Sequence, residues 1–303
     1  MVTFNNTLRL KRLRSTCRKI REIGFLVVNY GGDTMFTQNL EAITDAAVKK
    51  KEMMKASFSR YFVLAMLAGA YVGLGIILIF SVGAPLAAAK SPFQPMVMGM
   101  SFGLALTLVI FAGSELFTGN NMFFTASTLA RKTTVGDMLT NWTVVFFANL
   151  AGACVLSLLV VGSGLFSAAG AEHLIYAATA KKMSAPIMEL FFRGILCNWL
   201  VCLAIWMSNR TKEDIAKLVL IWWCLYAFIA SGYEHSVANM TLLSLALMLP
   251  KHPETITFAG WLHNMIPVTL GNIVGGSMFV GMTYWFISPI RKKTDSLTEK
   301  KSA

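Results

Sequence analysis

Glu234, His235 and Asn239 stand in SGYEHSVANM, residues 231–240, inside a run that is otherwise apolar from Leu218 to Leu249. Each is expensive in hydrocarbon, so each needs a partner or a water-filled path. The histidine carries the chemistry. Imidazole exchanges a proton near neutral pH, and a charged ring in a low dielectric gives that proton up readily. A small anion cannot enter hydrocarbon charged, whereas its neutral acid can.

A second run carries the same anomaly. AGSELFTGNNM, residues 112–122, interrupts the apolar stretch 96–128 with Glu115, then polar residues and an Asn-Met pair. About six stretches are long enough to cross a hydrocarbon core of about 30 Å: 61–83, 96–128, 137–162, 186–207, 215–249 and 257–289. The second and fifth are far longer than one crossing needs, and they hold the two anomalies. Cut into halves of three spans, the chain places them in matching positions. FANLAGA (147–153) and LGNIVGG (270–276) also correspond, each with Asn and Gly three residues apart. The pattern predicts a 3+3 inverted repeat with interrupted second and fifth helices, a pointer to a central binding or permeation site. Unwound backbone is tolerated at membrane depth only where protein buries it or it lines a cavity. Breaks are expected at Thr118-Gly119, capped by Asn120 and Asn121, and at Gly232–His235, ahead of Ser236. Two half-helix N-termini facing each other create a positive field that favours an anion. Glu115, Glu234 and Asn239 are read as structural, accepting or donating bonds beside each break. Gly69/Gly73 and Gly271/Gly275 have the spacing of close helix contacts.

The chain has 303 residues, of which 55% are hydrophobic and 14% charged, which fits an all-α integral membrane protein. The net charge of +12 does not indicate nucleic acid, because it clusters beside the spans. Basic residues crowd the first 60 positions, the tail and the second and fourth connections, so both termini are expected in the cytoplasm, with basic groups near anionic lipid. Residues 1–34 read as a basic N-terminal extension, with Met35 an alternative start; 35–60 as an amphipathic cytoplasmic helix; 61–289 as the six-span pore domain; 290–303 as a basic cytoplasmic tail. Leu40, Ile43 and Ala47 share the apolar side of the second segment. Five cysteines form no disulfide framework, and no Cys/His spacing suits a metal. No metal or cofactor is expected.

FAGSELFTG (111–119), GILCNWLVCLAIW (194–206) and GYEHSVANM (232–240) resemble the signatures of the formate–nitrite transporter family. The likeness runs through about residues 37–289. GAYVGLGIILIF (69–80) and IWWCLYAFIASGYEHS (221–236) are most similar to its nitrite-transporting branch. The resemblance implies an aquaporin-like six-helix protomer in an inner membrane, assembled as a homopentamer with one pore per subunit. It also implies residue roles. His235 is the central pore histidine and Thr118 the threonine of the second-span loop. Phe102 and Phe228 form an outer constriction, Leu106 and Leu116 an inner one. Asn198, Val201 and Asn272 line the pore, and Lys182 lies at the outer vestibule. Glu189 and Arg193, four apart, have no family role and are expected to pair.

Nitrite is the expected substrate, with formate and hydrosulfide as competitors, since all are small monovalent anions of weak acids. A water or glycerol pore would share the repeat, but the chain lacks the Asn-Pro-Ala boxes of such pores. A membrane-embedded enzyme or sensor would need a nucleophile–base pair, a metal cluster or a cytoplasmic domain, and the sequence offers none of these. Channel and proton-coupled carrier stay equally open, as does flux direction.

Overall fold

The computed structural model describes residues 36–288. The extension 1–34, its Cys17, the start at Met35 and the tail 290–303 lie outside the described residues. The chain divides into two compact units, 1–38 and 39–303, and the site belongs wholly to the second. All regular structure in the described residues is helical.

Helix α1 (Thr37–Ala56) carries Leu40, Ile43 and Ala47 on one fully buried side. There follow α2 (Phe58–Ala88), α3 (Gln94–Gly113), α4 (Phe117–Leu129) and α5 (Val135–Ser163). The remainder are α6 (Leu174–Ser184), α7 (Ile187–Ser208), α8 (Asp214–Ala230), α9 (Ser236–Met248) and α10 (Phe258–Ile287). Five of these, α2, α3, α5, α7 and α10, are long and apolar enough to cross a membrane. Both overlong sequence runs are divided. The second becomes α3 and α4 around Ser114–Leu116; the fifth becomes α8 and α9 around residues 231–235.

Local causes for the breaks are visible. Helix α3 loosens into a π-helical turn over Leu108–Gly113 before it stops. Gly113 (φ +82°) and Gly232 (φ +72°) then take the left-handed conformation that side chains other than glycine rarely adopt. Helix α5 starts in a capping box, with Thr134 and Asp137 satisfying each other's backbone amides.

The spans approach one another through small residues. A Cβ on Gly152 of α5 would collide with the Met66 carbonyl of α2, and one on Gly275 of α10 with the Ile195 carbonyl of α7. Gly162, on the same helix as Gly152, meets nothing within 4 Å. Gly152→Ala should therefore destabilise the solubilised protein by about 1–3 kcal/mol, the usual penalty of overpacking. Gly162→Ala should be neutral or stabilising by up to about 1 kcal/mol. Thermal unfolding in detergent checks the pair; equal melting temperatures for the two variants would contradict the close contact.

Candidate functional site

The two breaks are held by the same pattern of bonds. At the first, the Glu115 amide donates to the Leu64 carbonyl (3.4 Å) and the Phe117 amide to Asn149 Oδ1 (2.9 Å). Asn149 Nδ2 donates to the carbonyls of Ala65 (2.7 Å) and Glu115 (2.9 Å). At the second, the Glu234 amide donates to the Arg193 carbonyl (3.3 Å) and the Ser236 amide to Asn272 Oδ1 (2.8 Å). Asn272 Nδ2 donates to the carbonyls of Gly194 (2.8 Å) and Glu234 (2.9 Å). One asparagine from a neighbouring helix thus satisfies both sides of each gap, as buried backbone requires.

The carboxylates follow the same plan. Glu115 accepts from Lys50 (2.7 Å), the Tyr61 hydroxyl (3.0 Å) and Asn120 (3.2 Å), and Asn120 donates also to Asn141 (2.8 Å). Glu234 accepts from Lys182 (2.8 Å) and Asn239 (2.7 Å), and Asn239 donates also to Asn264 (2.8 Å). A buried carboxylate surrounded in this way avoids the penalty of an isolated charge.

Two details correct the sequence reading. The first half-helix begins at Phe117, so Thr118 and Gly119 lie in its first turn rather than at the break. Its cap is Asn149, not Asn120 or Asn121. Asn120 is committed to Glu115 and Asn141, and Asn121 Oδ1 accepts from Asn198 (3.2 Å). Local spacing favoured the nearby asparagines; the helix that crosses the gap supplies a better-aimed acceptor. Asn149, Asn141, Asn264, Tyr61 and Lys50 were given no role from sequence. For Asn149 a signal existed, its match with Asn272 in the repeated Asn-x-x-Gly pattern.

The breaks meet at one point. His235 is the N-cap of α9, and its Nδ1 accepts from the Ala238 amide (3.1 Å). Its Nε2 lies 3.0 Å from Thr118 Oγ1, in the first turn of α4. An amide N–H can only donate, so Nδ1 is the bare nitrogen and Nε2 carries the proton of the neutral ring. Nε2–H therefore donates to the Thr118 oxygen, which leaves the hydroxyl hydrogen free to turn to another acceptor. The ring is 4% exposed. Phe228 stacks on it (centroids 5.9 Å apart, planes 23° apart), and Phe102 meets Phe228 edge-on at 5.4 Å.

A cavity opens on either side of this junction. One, of about 370 Å³, is lined by Lys181, Lys182, Arg193, Phe228, Glu234 and His235, among others. The other, about 300 Å³, is lined by Lys50, Leu64, Glu115, Leu116, Phe123 and others. Leu64 faces the second and Ile76, Ile79 and Phe80 the first. These positions are 12 to 16 residues apart on the single helix α2, about 18–24 Å along its axis. The cavities therefore open toward opposite ends of the bundle, the first beside α6, the second beside α1.

Of the residues singled out by sequence, His235, Phe228, Lys182, Glu234 and Asn239 line the α6-side cavity, and Leu116 and Glu115 the α1-side one. Phe102, Leu106, Thr118, Val201, Asn198 and Asn272 are buried and off the walls of both. Asn198 links neighbouring segments: its Nδ2 donates toward the carbonyls of Thr118 (3.1 Å) and Asn272 (2.6 Å) as well as toward Asn121. Gly276 makes room for it, since a Cβ there would sit 2.6 Å from Nδ2. Glu189 and Arg193 form an ion pair, as expected. Among the described residues no group of histidines, cysteines and carboxylates could hold a metal ion.

Residues 37–286 match the sequence profile described as formate/nitrite transporter. The nitrite transporter NirC of Escherichia coli (strain K12) is 45% identical over 255 residues, 84% of this chain and 93% of that protein. A solved structure described as an FNT family ion channel is 44% identical, with a TM-score of 0.78, covering 84% of this chain and all (100%) of that one. Another, described as a pentameric formate channel with formate bound, is 30% identical with a TM-score of 0.66, covering 77% and 98%. These relatives are transporters and channels, in keeping with a transport protein rather than an enzyme, and the chain is a multi-pass membrane protein.

Proposed function

The chain belongs to the formate/nitrite transporter family, and from that premise we propose that it carries nitrite across the inner membrane as the neutral acid, protonated beside His235. The single observation that carries this reading is the Thr118–His235 contact at 3.0 Å, buried beneath Phe228 between two cavities of about 370 and 300 Å³. Phe102 and Phe228 act as one apolar gate, Leu106 and Leu116 as the other. A bare anion between them loses hydration that nothing apolar replaces, whereas nitrous acid loses little.

The duplicated bond pattern supports a 3+3 inverted repeat in which α8 and α9 together make the fifth of six crossings and α10 the last. Both half-helix N-termini then point at the Thr118–His235 junction and favour negative charge there. The anion hydrogen-bonds first to the free hydrogen of Thr118. A proton added to the imidazole must land on Nδ1, which already faces the Ala238 N–H. Two donors cannot share that line, so the charged ring turns away from the α9 cap. Protonation and the shape of the second break are thus coupled: the turned ring passes its Nδ1 proton to the anion, and the bare Nδ1 then accepts from Ala238 again as the cap re-forms.

Asn198 and Asn272 serve the pore by holding its backbone in place, Val201 lines it from the same helix as Asn198, and Glu115, Glu234 and Asn239 fix the breaks. Both termini lie in the cytoplasm, next to anionic lipid. The protein assembles as a homopentamer with one pore per subunit, a reading supported by the pentameric relative.

Flux of nitrite, formate and hydrosulfide into liposomes across a pH range tests the substrate. Nitrite is expected to pass fastest, with every rate rising as pH falls; a higher rate for formate or hydrosulfide would transfer the assignment to that anion. Swelling in glycerol at a comparable rate would instead mark a neutral-solute pore.

A further inference from the structure

A third cavity, of about 710 Å³, lies away from the proposed pore, between α5, α9 and α10. Phe147 and Cys154 of α5, Met248 of α9 and Leu262, Ile266 and Leu270 of α10 are among its walls. Two of its polar groups satisfy each other, the Trp261 indole N–H donating to the Ser244 hydroxyl (3.2 Å). Phe147, Ile266 and Leu270 are each more than half exposed, so the cavity is an open apolar groove and not a sealed void. The repeat gives a reason for it. Counted from the matched pair Asn149 and Asn272, Thr269 stands where the other half has Phe146, and Met265 where it has Trp142. This half carries no aromatic ring at either position.

The groove starts where α10 starts, at Phe258. That end packs on α6: Asn264 donates to the Lys182 carbonyl (3.0 Å), and a Cβ on Gly260 would crowd Met183. Phe258 and Trp261 stack there at 5.9 Å, and aromatic rings of this kind gather at the level of lipid headgroups. The groove ends near Leu270, 12 residues along α10. That is about 18 Å of helix, against about 15 Å for half of a hydrocarbon core. It is therefore one leaflet deep, whereas a crossing helix of a second copy needs a face of the full thickness. Beyond Met248 the chain turns through residues 249–257, which hold Lys251, His252 and the carboxylate Glu254. His252 Nδ1–H donates to the Leu249 carbonyl (2.8 Å). Lys251 and Glu254 are exposed and form no ion pair among the described residues. Lys251, three residues past the groove wall, thus offers its charge to an anionic headgroup.

We propose that this groove seats one acyl chain of a phospholipid from the α6-side leaflet, with the lipid phosphate held near Lys251. The site is separate from the transport path and does not depend on what that path carries. Lipid tails are as apolar as the groove, so no hydrophobic gain draws the chain in. It is held by many weak dispersion contacts in a cleft that would otherwise be poorly filled, and by the charge at its head. A chain packed in this way exchanges more slowly than one lying on a smooth helix face, and it stays with the protein when the membrane is dissolved.

The test reconstitutes the full-length protein with phosphatidylglycerol, extracts it again in mild detergent, and counts lipids and subunits by native mass spectrometry. The wild type should retain a phospholipid on each subunit. Cys154→Trp and Thr269→Phe, the second restoring the ring of the other half, fill the groove. Each should cut the retained lipid by at least about five-fold, because no packed space is left for a chain. Leu159→Trp, on the same helix as Cys154 but outside the groove, should leave the count unchanged. Lys251→Gln should lower it about two- to five-fold, the usual worth of one lysine beside an anionic headgroup. Subunit assembly, read in the same spectra, shows that the variants fold. A wild type without phospholipid, undiminished retention in both filled variants, or an equal loss in Leu159→Trp overturns the proposal. So does a free fatty acid in place of the phospholipid. Filled variants that split the assembly and keep their lipid overturn it as well, and mark the groove as a contact between copies.

Discussion

His235→Phe should reduce nitrite flux by about 100-fold or more, the lower range for losing a positioned proton donor. The phenyl ring fills the space beneath Phe228 but has neither Nδ1 to accept from Ala238 nor Nε2–H to meet Thr118. His235→Asn separates the two losses. An asparagine oxygen is among the best N-caps, so α9 should keep its start, while no titratable group remains. That variant should fold normally and show flux whose dependence on pH is flattened. The measurement is initial nitrite uptake by liposomes at several pH values for all three proteins. A wild-type pH profile in both variants would remove His235 from the mechanism.

Asn272→Leu should be nearly as damaging through a different route. Its side chain satisfies the Ser236 amide and the carbonyls of Gly194 and Glu234 at the gap between α8 and α9. Each buried polar group left without a partner costs about 1–3 kcal/mol. Three such losses amount to most of a typical stability margin of about 5–15 kcal/mol. We expect the solubilised variant to unfold at a much lower temperature, or to fail to accumulate. Asn149→Leu should behave alike, because Asn149 does the same work at the first break. Asn272→Asp, which keeps the acceptor and loses the donors, should fall between. Melting curves of the three variants check this; wild-type stability in Asn272→Leu would mean that water, not the side chain, closes the gap.

Some of these features are legible in the amino-acid sequence and others are not. The breaks themselves were legible. Glu115 and Glu234 sit in apolar runs too long for single crossings, and the penalty on unpaired charge leaves few explanations. The pairing of Asn149 with Asn272 was visible as a repeated pattern, but not its purpose. A side chain that reaches across to another helix leaves no local trace of its partner. The start of α4 was misplaced for the same reason: Asn120 and Asn121 are well spaced to cap locally, and only tertiary structure shows Asn149 in that position. The roles of Tyr61 and Lys50 beside Glu115 depend on α1 and α2 converging at one point, which periodicity does not specify. The use of His235 as a helix cap was hidden as well, since histidine is not among the usual capping residues. In the proposed mechanism that cap ties protonation to backbone geometry. Asn198 offers the reverse case. The resemblance implies a pore-lining role for it, and the structure directs its amide at the carbonyls of Thr118 and Asn272. It bonds at the same time to the half-helix that carries Thr118 and to the residue that caps the other. A change there should disturb both breaks together.

In the proposed mechanism charge is refused between the gates, and protonation allows passage. Nitrate carries the same charge as nitrite and is close to it in size, but it is the anion of a strong acid and stays ionised at any pH the protein survives. Liposome flux of nitrite and nitrate, measured side by side at the same pH and concentration, therefore isolates protonation from size and charge. Nitrite flux should exceed nitrate flux by about 100-fold, the ratio set by roughly 2.5–3.5 kcal/mol for an ion at mid-membrane depth. Comparable rates for the two anions would contradict it.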